Sequence, residues 1–386
     1  MAERLVVEGF REFSGKHCET ASLQKVLNFH GPSLSEEMFL GLGGGVGFIY
    51  WYMKMMPAPF IGTRFGKGEN FLLTICKRIG AQATVIETNG SKKGLDELKA
   101  LLRIGEPIVC YGDMAYLPYL AVPEIAHFGD HTFVVFGLDE TKDEVYISDR
   151  AKKTVTVTIE DLQKARGSKF SPFAPKHRIL RIKYPSKIEG LTCGIKQGIE
   201  DCCNNMLNPP ISNIGLAGMQ KWVDTVTRWS KQFKGLSLYG CLFNTFMYIE
   251  VSGTGGSAFR TMYAKFLEEA STYVAKPALQ EIAEDFKESA KMWSEVAESA
   301  LPDSWPQLQR IRELVLEKNR FFEEQRPGAL EKMKNINLKL DDLAKIVSEE
   351  LQVKNSVPLL LGLKQKIAEC CELEKKTFKR LNSIMK

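Results

Sequence analysis

Between residues 18 and 30, Leu23, Val26, Leu27 and His30 recur at the spacing of one helical face, and Gly31-Pro32 stops the run. Ser35 can cap a second short helix that fades into LGLGGGVGF. FIYWYMKMM has β-like composition, and it is followed by a helix near residues 69–79 and a strand at ATVIET. SKKGLDELKALLRIG reads as a helix with Gly105 as its C-cap, leading into the buried-strand pattern PIVCYG. From residue 131 the pattern turns to sheet: HTFVVFGLD, VYISD, KTVTVTI and HRILRIKY, the first two joined through ETKDE as an antiparallel hairpin.

Beyond Pro185 the β signal fades. Long amphipathic helices with solvated charged faces follow, broken at NPPISN, VSGTGGS, LPDSWP and RPGA. The pattern predicts an α+β domain over residues 1–185 and an all-α helical domain over residues 186–386. A chain of 386 residues suits two such cores.

Composition changes this picture little. The net charge of +5 comes from signs interspersed along the chain, which argues against a nucleic-acid partner. No run of about 18 apolar residues occurs, and MAERLVVEGFREF is charged where a signal peptide needs an apolar core; no membrane association and a cytoplasmic location are expected. The nine cysteines include two adjacent pairs and no CxxC, so reduced thiols are expected rather than a disulfide framework or a zinc site. No metal and no bound cofactor are called for, and the oligomeric state is left open.

Three residues of the first domain fit one mechanism. Cys18 opens a helix, where unpaired backbone N–H groups and the helix dipole favour a thiolate. His131 opens HTFVVFGLD and Asp149 closes VYISD; a turn near residues 140–142 brings the partner of His131 to within about one residue pair of Asp149. Nucleophile, base and orienter would then make a cysteine–histidine–aspartate triad. His127 is the rival base and Asp130 the rival orienter, although Asp130, adjacent to His131 on a strand, would point to the opposite face. His30 reads as a packed residue, and His177 carries no assignment.

HCETASLQKVLNFHG, LGLGGGVGF and HTFVVFGLDETKDEVYISD resemble the N-terminal domain of the butirosin biosynthesis protein H family, and the motif order is similar to bacteriocin-processing cysteine peptidases of papain-like fold. SGTGGSAFRTMYAKFLEEA resembles the helical companion domain. The resemblance implies a papain-like α+β domain followed by a helical one, in a natural-product acyltransferase. It would move an acyl or aminoacyl group, through a Cys18 thioester, from the phosphopantetheine arm of an acyl carrier protein or another thioester donor to a small amine acceptor. It makes Cys18 the nucleophile, His131 the base and Asp149 the orienter. The related peptidases carry an oxyanion-hole glutamine about six residues before the cysteine, where this chain has Glu12, an anion that would oppose an oxyanion. The hole is then built from the Cys18 N–H and another donor, with His17 the candidate, or the correspondence is loose there, or catalysis is weak.

Two glycine-rich segments are further candidates. Gly43, Gly44 and Gly45 lack the Gly-Lys-Ser/Thr of a phosphate loop and suit either a close backbone approach to substrate or a tight turn. Gly256 and Ser257, ahead of a helix and beside Arg260, could bind a phosphate or carboxylate, or simply cap a core helix. Two alternatives to acyl transfer stay open: an amidohydrolase or peptidase using the same triad, and an idle ligand-binding scaffold.

Overall fold

The computed structural model describes the chain except at residues 1, 32, 66, 67, 124 and 186. Pro32, half of the expected helix stop, and Ser186, at the expected domain boundary, lie outside the described residues. Two compact units are built from interleaved segments rather than divided by a single cut. The first comprises Met1–Phe39, Lys67–Gly190 and Lys318–Asn337; the second comprises Leu40–Gly66, Leu191–Glu317 and Leu338–Lys386.

The elements follow the polar and apolar pattern closely. After β1 (Arg4–Val6), α1 spans Cys18–His30 and ends on Gly31, whose φ of 124 only glycine takes readily, with its N–H bonded to Leu27 O at 3.1 Å. In α2 (Glu36–Leu42) the Met38 N–H donates to the Ser35 hydroxyl at 2.9 Å, the expected cap. Then come β2 (Ile49–Trp51), β3 (Phe60–Gly62), α3 (Gly68–Arg78), β4 (Gln82–Ile86), α4 (Ser91–Arg103) and β5 (Ile108–Gly112). The long strand β6 (His131–Asp139) is buried throughout, and β7 (Glu144–Ser148), β8 (Val155–Val157), α5 (Ile159–Gly167) and β9 (Ile179–Lys183) complete the α+β half. The sequence expectation of one strand through KTVTVTI is corrected here: the strand stops at Val157, and Thr158 accepts from the Asp161 N–H at 3.0 Å to start α5.

In the first unit the sheet runs β4-β9-β5-β6-β7-β8, with β1 also on β6, and every pairing is antiparallel. A bulge between Val135 and Gly137 bends β6 against β7. A Cβ at Gly137 would lie 2.6 Å from the Tyr146 ring, so only glycine fits there. Ile108, Cys110, Phe133 and Val135 of the sheet form one core with Leu98 and Leu102 of α4, Leu162 and Ala165 of α5, and Phe322 and Met333 from the third segment.

The second unit is mostly helical. It holds the β2–β3 hairpin and α6 (Leu191–Leu207), α7 (Gly215–Thr225), α8 (Trp229–Gln232), α9 (Leu236–Phe246), α10 (Arg260–Tyr273) and α11 (Ala278–Ala300). Three more helices follow: α12 (Pro306–Glu324), α13 (Ala329–Glu350) and α14 (Val353–Met385). α12 and α13 each have one end in the third segment of the first unit. Phe48, Trp222 and Trp293 stack at the second unit's centre. Among the described residues no helix is long and apolar enough to cross a membrane.

Candidate active site

The loop before α1 is pressed onto the helix. Gly15 N–H donates to Arg150 O at 2.9 Å, and a Cβ on Gly15 would sit 2.2 Å from the Ala21 Cβ, so this approach needs glycine. Cys18 therefore emerges as the first helical residue, half-buried, with a backbone N–H that has no acceptor inside the helix. The positions just before it are capped from α2. Glu36 accepts from His17 N–H at 2.7 Å, from Lys16 N–H at 3.0 Å and from the Thr20 hydroxyl at 2.9 Å. Burial pushes the Glu36 carboxyl above its usual range, against these three donors.

His131 opens β6, opposite Gly112 of β5. Ser148 pairs with Val134, so Asp149 continues opposite Phe133 and shares its face with His131, two residues along. The result is a 2.7 Å hydrogen bond between His131 Nε2 and Asp149 Oδ2, with both side chains buried. The Cys18 thiol acts on the same imidazole and favours its protonated form. With Nε2 committed to Asp149, Nδ1 is the nitrogen left for sulfur. Burial alone would lower the imidazole pKa; the Asp149 charge and hydrogen bond, then Cys18, outweigh it and raise it. Burial would likewise raise the Asp149 carboxyl, but His131, Arg150 and Tyr119 hold it below the usual carboxylate range. Opposite shifts on the two partners favour an imidazolium–carboxylate pair.

Three supporting residues were not singled out by the sequence reading. Tyr119 donates its hydroxyl to Asp149 Oδ2 at 2.9 Å, and the Arg150 N–H donates to Oδ1 at 2.7 Å. Lys25, two helical turns beyond Cys18, donates Nζ to the Asp149 carbonyl at 2.7 Å and lies 5.1 Å from the Phe13 ring centroid. It is 1% exposed, and burial pushes its ammonium down to about 8, against the charges of Asp149 and Glu36. Its i+7 spacing from Cys18 was the available sign; Tyr119, in a loop, offered none.

The rival residues are occupied elsewhere. His127 Nδ1 bonds Asp113 Oδ2 at 2.8 Å and its ring stacks on Phe170, while Asp130 pairs with Arg178 at 3.2 Å. His30 bonds Glu106 at 2.9 Å and stacks on Tyr184. His177 is buried against Gly94 and Gly167, and burial followed by the Arg166 charge lowers its pKa to about 4. Glu12, the departure from the peptidase pattern, is exposed.

Other candidates are reassigned by their contacts. His17 Nδ1 faces the Thr20 hydroxyl at 3.2 Å and Nε2 lies 3.5 Å from Glu19, so its ring is engaged by its own helix rather than held ready for an oxyanion. Gly44 and Gly45 donate to Gly41 O and Leu40 O, so with Gly43 they form the turn that ends α2. A Cβ on Gly45 would lie 2.4 Å from the Tyr263 ring, a packing reason for glycine within the helical unit. At the expected anion site, Gly256 N–H is taken by the Thr254 hydroxyl and Ser257 N–H by the Glu250 carboxylate. Arg260 is fully buried and bidentate on Glu374, with 3.1 and 2.7 Å bonds. The chain's own carboxylates fill the places an external anion would need. Among the described residues no group of three or more His, Cys, Asp or Glu is arranged to hold a metal.

The architecture is thus an α+β unit in which a helix-opening cysteine meets a strand histidine held by an aspartate, accompanied by a helical part. Residues 17–150, which contain all three, match the family model described as butirosin biosynthesis protein H, N-terminal, and this match supports a butirosin biosynthesis protein H-like family for that span. Residues 160–318 match a second model, the domain of unknown function DUF4872. No curated protein matches the chain.

Proposed function

We propose that this protein is a biosynthetic cysteine acyltransferase of papain-like design. The observation that carries the reading is the 2.7 Å His131–Asp149 hydrogen bond, with Cys18 acting electrostatically on the same imidazole, inside the family-matched span. The Cys18 thiol proton passes to His131 Nδ1, and the thiolate attacks the carbonyl carbon of a donor thioester. The tetrahedral oxyanion is met by the Cys18 N–H, which the helix leaves without an acceptor. As the donor's C–S bond breaks, the imidazolium returns its proton to the departing thiol, leaving an acyl thioester on Cys18. An acceptor amine then attacks that thioester, the imidazole takes the amine's proton, and Cys18 leaves to be reprotonated. Asp149 holds the imidazole and stabilises its cationic form throughout.

The donor class is a thioester, with a carrier-protein phosphopantetheine as the leading candidate, and the acceptor a small amine. Incubation with acyl thioesters should add one acyl mass to the intact protein, and Cys18→Ala should abolish that adduct. A Cys18→Ala variant that still acylates an amine at the wild-type rate removes the nucleophile from the proposal. Product analysis with and without added amines separates transfer from hydrolysis, since the outcome depends on whether amine or water reaches the acyl-enzyme.

A further inference from the structure

Asp149 is fastened by groups that the chemistry above leaves unused. Its Oδ2 accepts from two donors, His131 Nε2 and the Tyr119 hydroxyl, while Oδ1 accepts from Arg150 N–H. Two donors on one oxygen and a third on the other fix the plane of the carboxylate. Tyr119 is itself buried, in a short turn (Pro118–Leu120) that ends on Ala121 with φ of 47, a conformation alanine does not favour alone.

What holds that turn comes from far along the chain. Lys318 Nζ and Asn337 Nδ2 both donate to the Ala121 carbonyl, at 2.8 and 2.7 Å. Between them in sequence, Phe322 stacks on Tyr119 with centroids 6.5 Å apart and planes at 18°. The same ring lies 4.9 Å from the Arg150 guanidinium, and the Lys152 N–H donates to Glu323 O at 2.9 Å. Segment Lys318–Asn337 therefore grips both the Tyr119 turn and the chain that follows Asp149.

We infer that Tyr119 is a positioning residue for Asp149, and that Lys318–Asn337 is the buttress that seats it. This inference rests on the acyl-transfer reading of Cys18 and His131. Removing the Tyr119 hydroxyl has two opposed effects. If its role is to hold the carboxylate in plane, Asp149 turns away, the imidazolium loses support, and less Cys18 is thiolate at a given pH. If the hydroxyl only drew charge from Oδ2, its loss would strengthen the grip on the imidazolium and raise the thiolate fraction. The charged and titratable groups around the pair are Cys18, Lys25 and Glu36 from α1 and its cap, Arg150 beside Asp149, Tyr119 itself, and Lys318 behind the turn.

The test is the rate of Cys18 alkylation by iodoacetamide on the full chain, from about pH 5 to 9, with peptide mapping to separate Cys18 from the exposed Cys193. Tyr119→Phe should move the acid limb of the profile upward by about one pH unit, a tenfold slower reaction on that limb. Phe322→Ala should shift it in the same direction with the hydroxyl still present, and Phe322→Tyr, which keeps the ring, should stay near wild type. A limb that stays put or moves down in both Tyr119→Phe and Phe322→Ala overturns the inference. A limb that is the same in His131→Ala as in wild type removes the Cys18–His131 pair, and the proposed function falls with it; dependence on His131 without dependence on Tyr119 rejects only the buttress.

Discussion

Asp149→Asn isolates the charge of the orienter with almost no change in shape. The carboxylate serves three donors: His131 Nε2–H and the Tyr119 hydroxyl on Oδ2, and Arg150 N–H on Oδ1. A carboxamide has one acceptor oxygen. With that oxygen toward His131, its NH2 group faces the Arg150 N–H, donor against donor. Turned the other way, the NH2 group donates to Nε2 and forces the ring into the tautomer whose Nδ1–H faces the thiol, so the base is lost. Losing a hydrogen bond to a charged group costs about 1.5–3 kcal/mol, and each 1.36 kcal/mol is a factor of ten. Acyl-adduct formation at pH 7 should therefore slow by about ten- to a hundredfold, and further if the wrong tautomer prevails. The assay is single-turnover appearance of the adduct by intact mass, with Asp149→Ala beside it and a thermal melt to confirm folding. An Asp149→Asn protein that forms adduct within twofold of wild type would refute the orienter role.

Two predictions concern stability. Glu374→Ala should cost about 3–5 kcal/mol, because it strands the buried Arg260 guanidinium and removes the acceptor for Ser289 and Trp293; a urea midpoint close to wild type would contradict this. His177 holds its proton only near pH 4 when folded, against about 6.5 for an ordinary histidine, so the unfolded chain binds more protons between those values. The stabilisation tied to its neutral form is complete above about pH 6.5 and fades as the pH falls toward 4. His177→Gln should lose less stability than wild type between pH 7 and 5 in urea titrations, and an equal loss would point to other groups.

What was legible in the sequence was local. The cap at Ser35, the Gly31 stop and the hairpin that brings Asp149 to His131 each depend on neighbours a few residues away, and spacing alone reports them. What could not be read was set by distant partners. Three-residue β1 is too short to leave a periodic trace, and the insertion of β9 between β4 and β5 leaves no mark in either strand. Arg260 resembled a ligand-binding cation until Glu374, 114 positions away, appeared as its partner. Nothing near Lys25 in sequence marks it as buried, yet the loop at Phe13 and the Asp149 carbonyl enclose it. The alternating KTVTVTI run masked the Thr158 cap because alternation and capping compete for the same residues.

The strand order also bears on how the gene can be dissected. A recombinant fragment limited to residues 17–150 would lack β1, β8 and β9, stripping β4 of its partner and baring one side of β5, with the unsatisfied peptide groups that seed aggregation. Extending it to residues 2–190 restores the ladder, β1 included, but still omits Phe322 and Met333, leaving the apolar socket they fill open to water. Expression trials that respect the polypeptide's weave, rather than the borders of sequence matches, are the ones expected to yield a folded, assayable product.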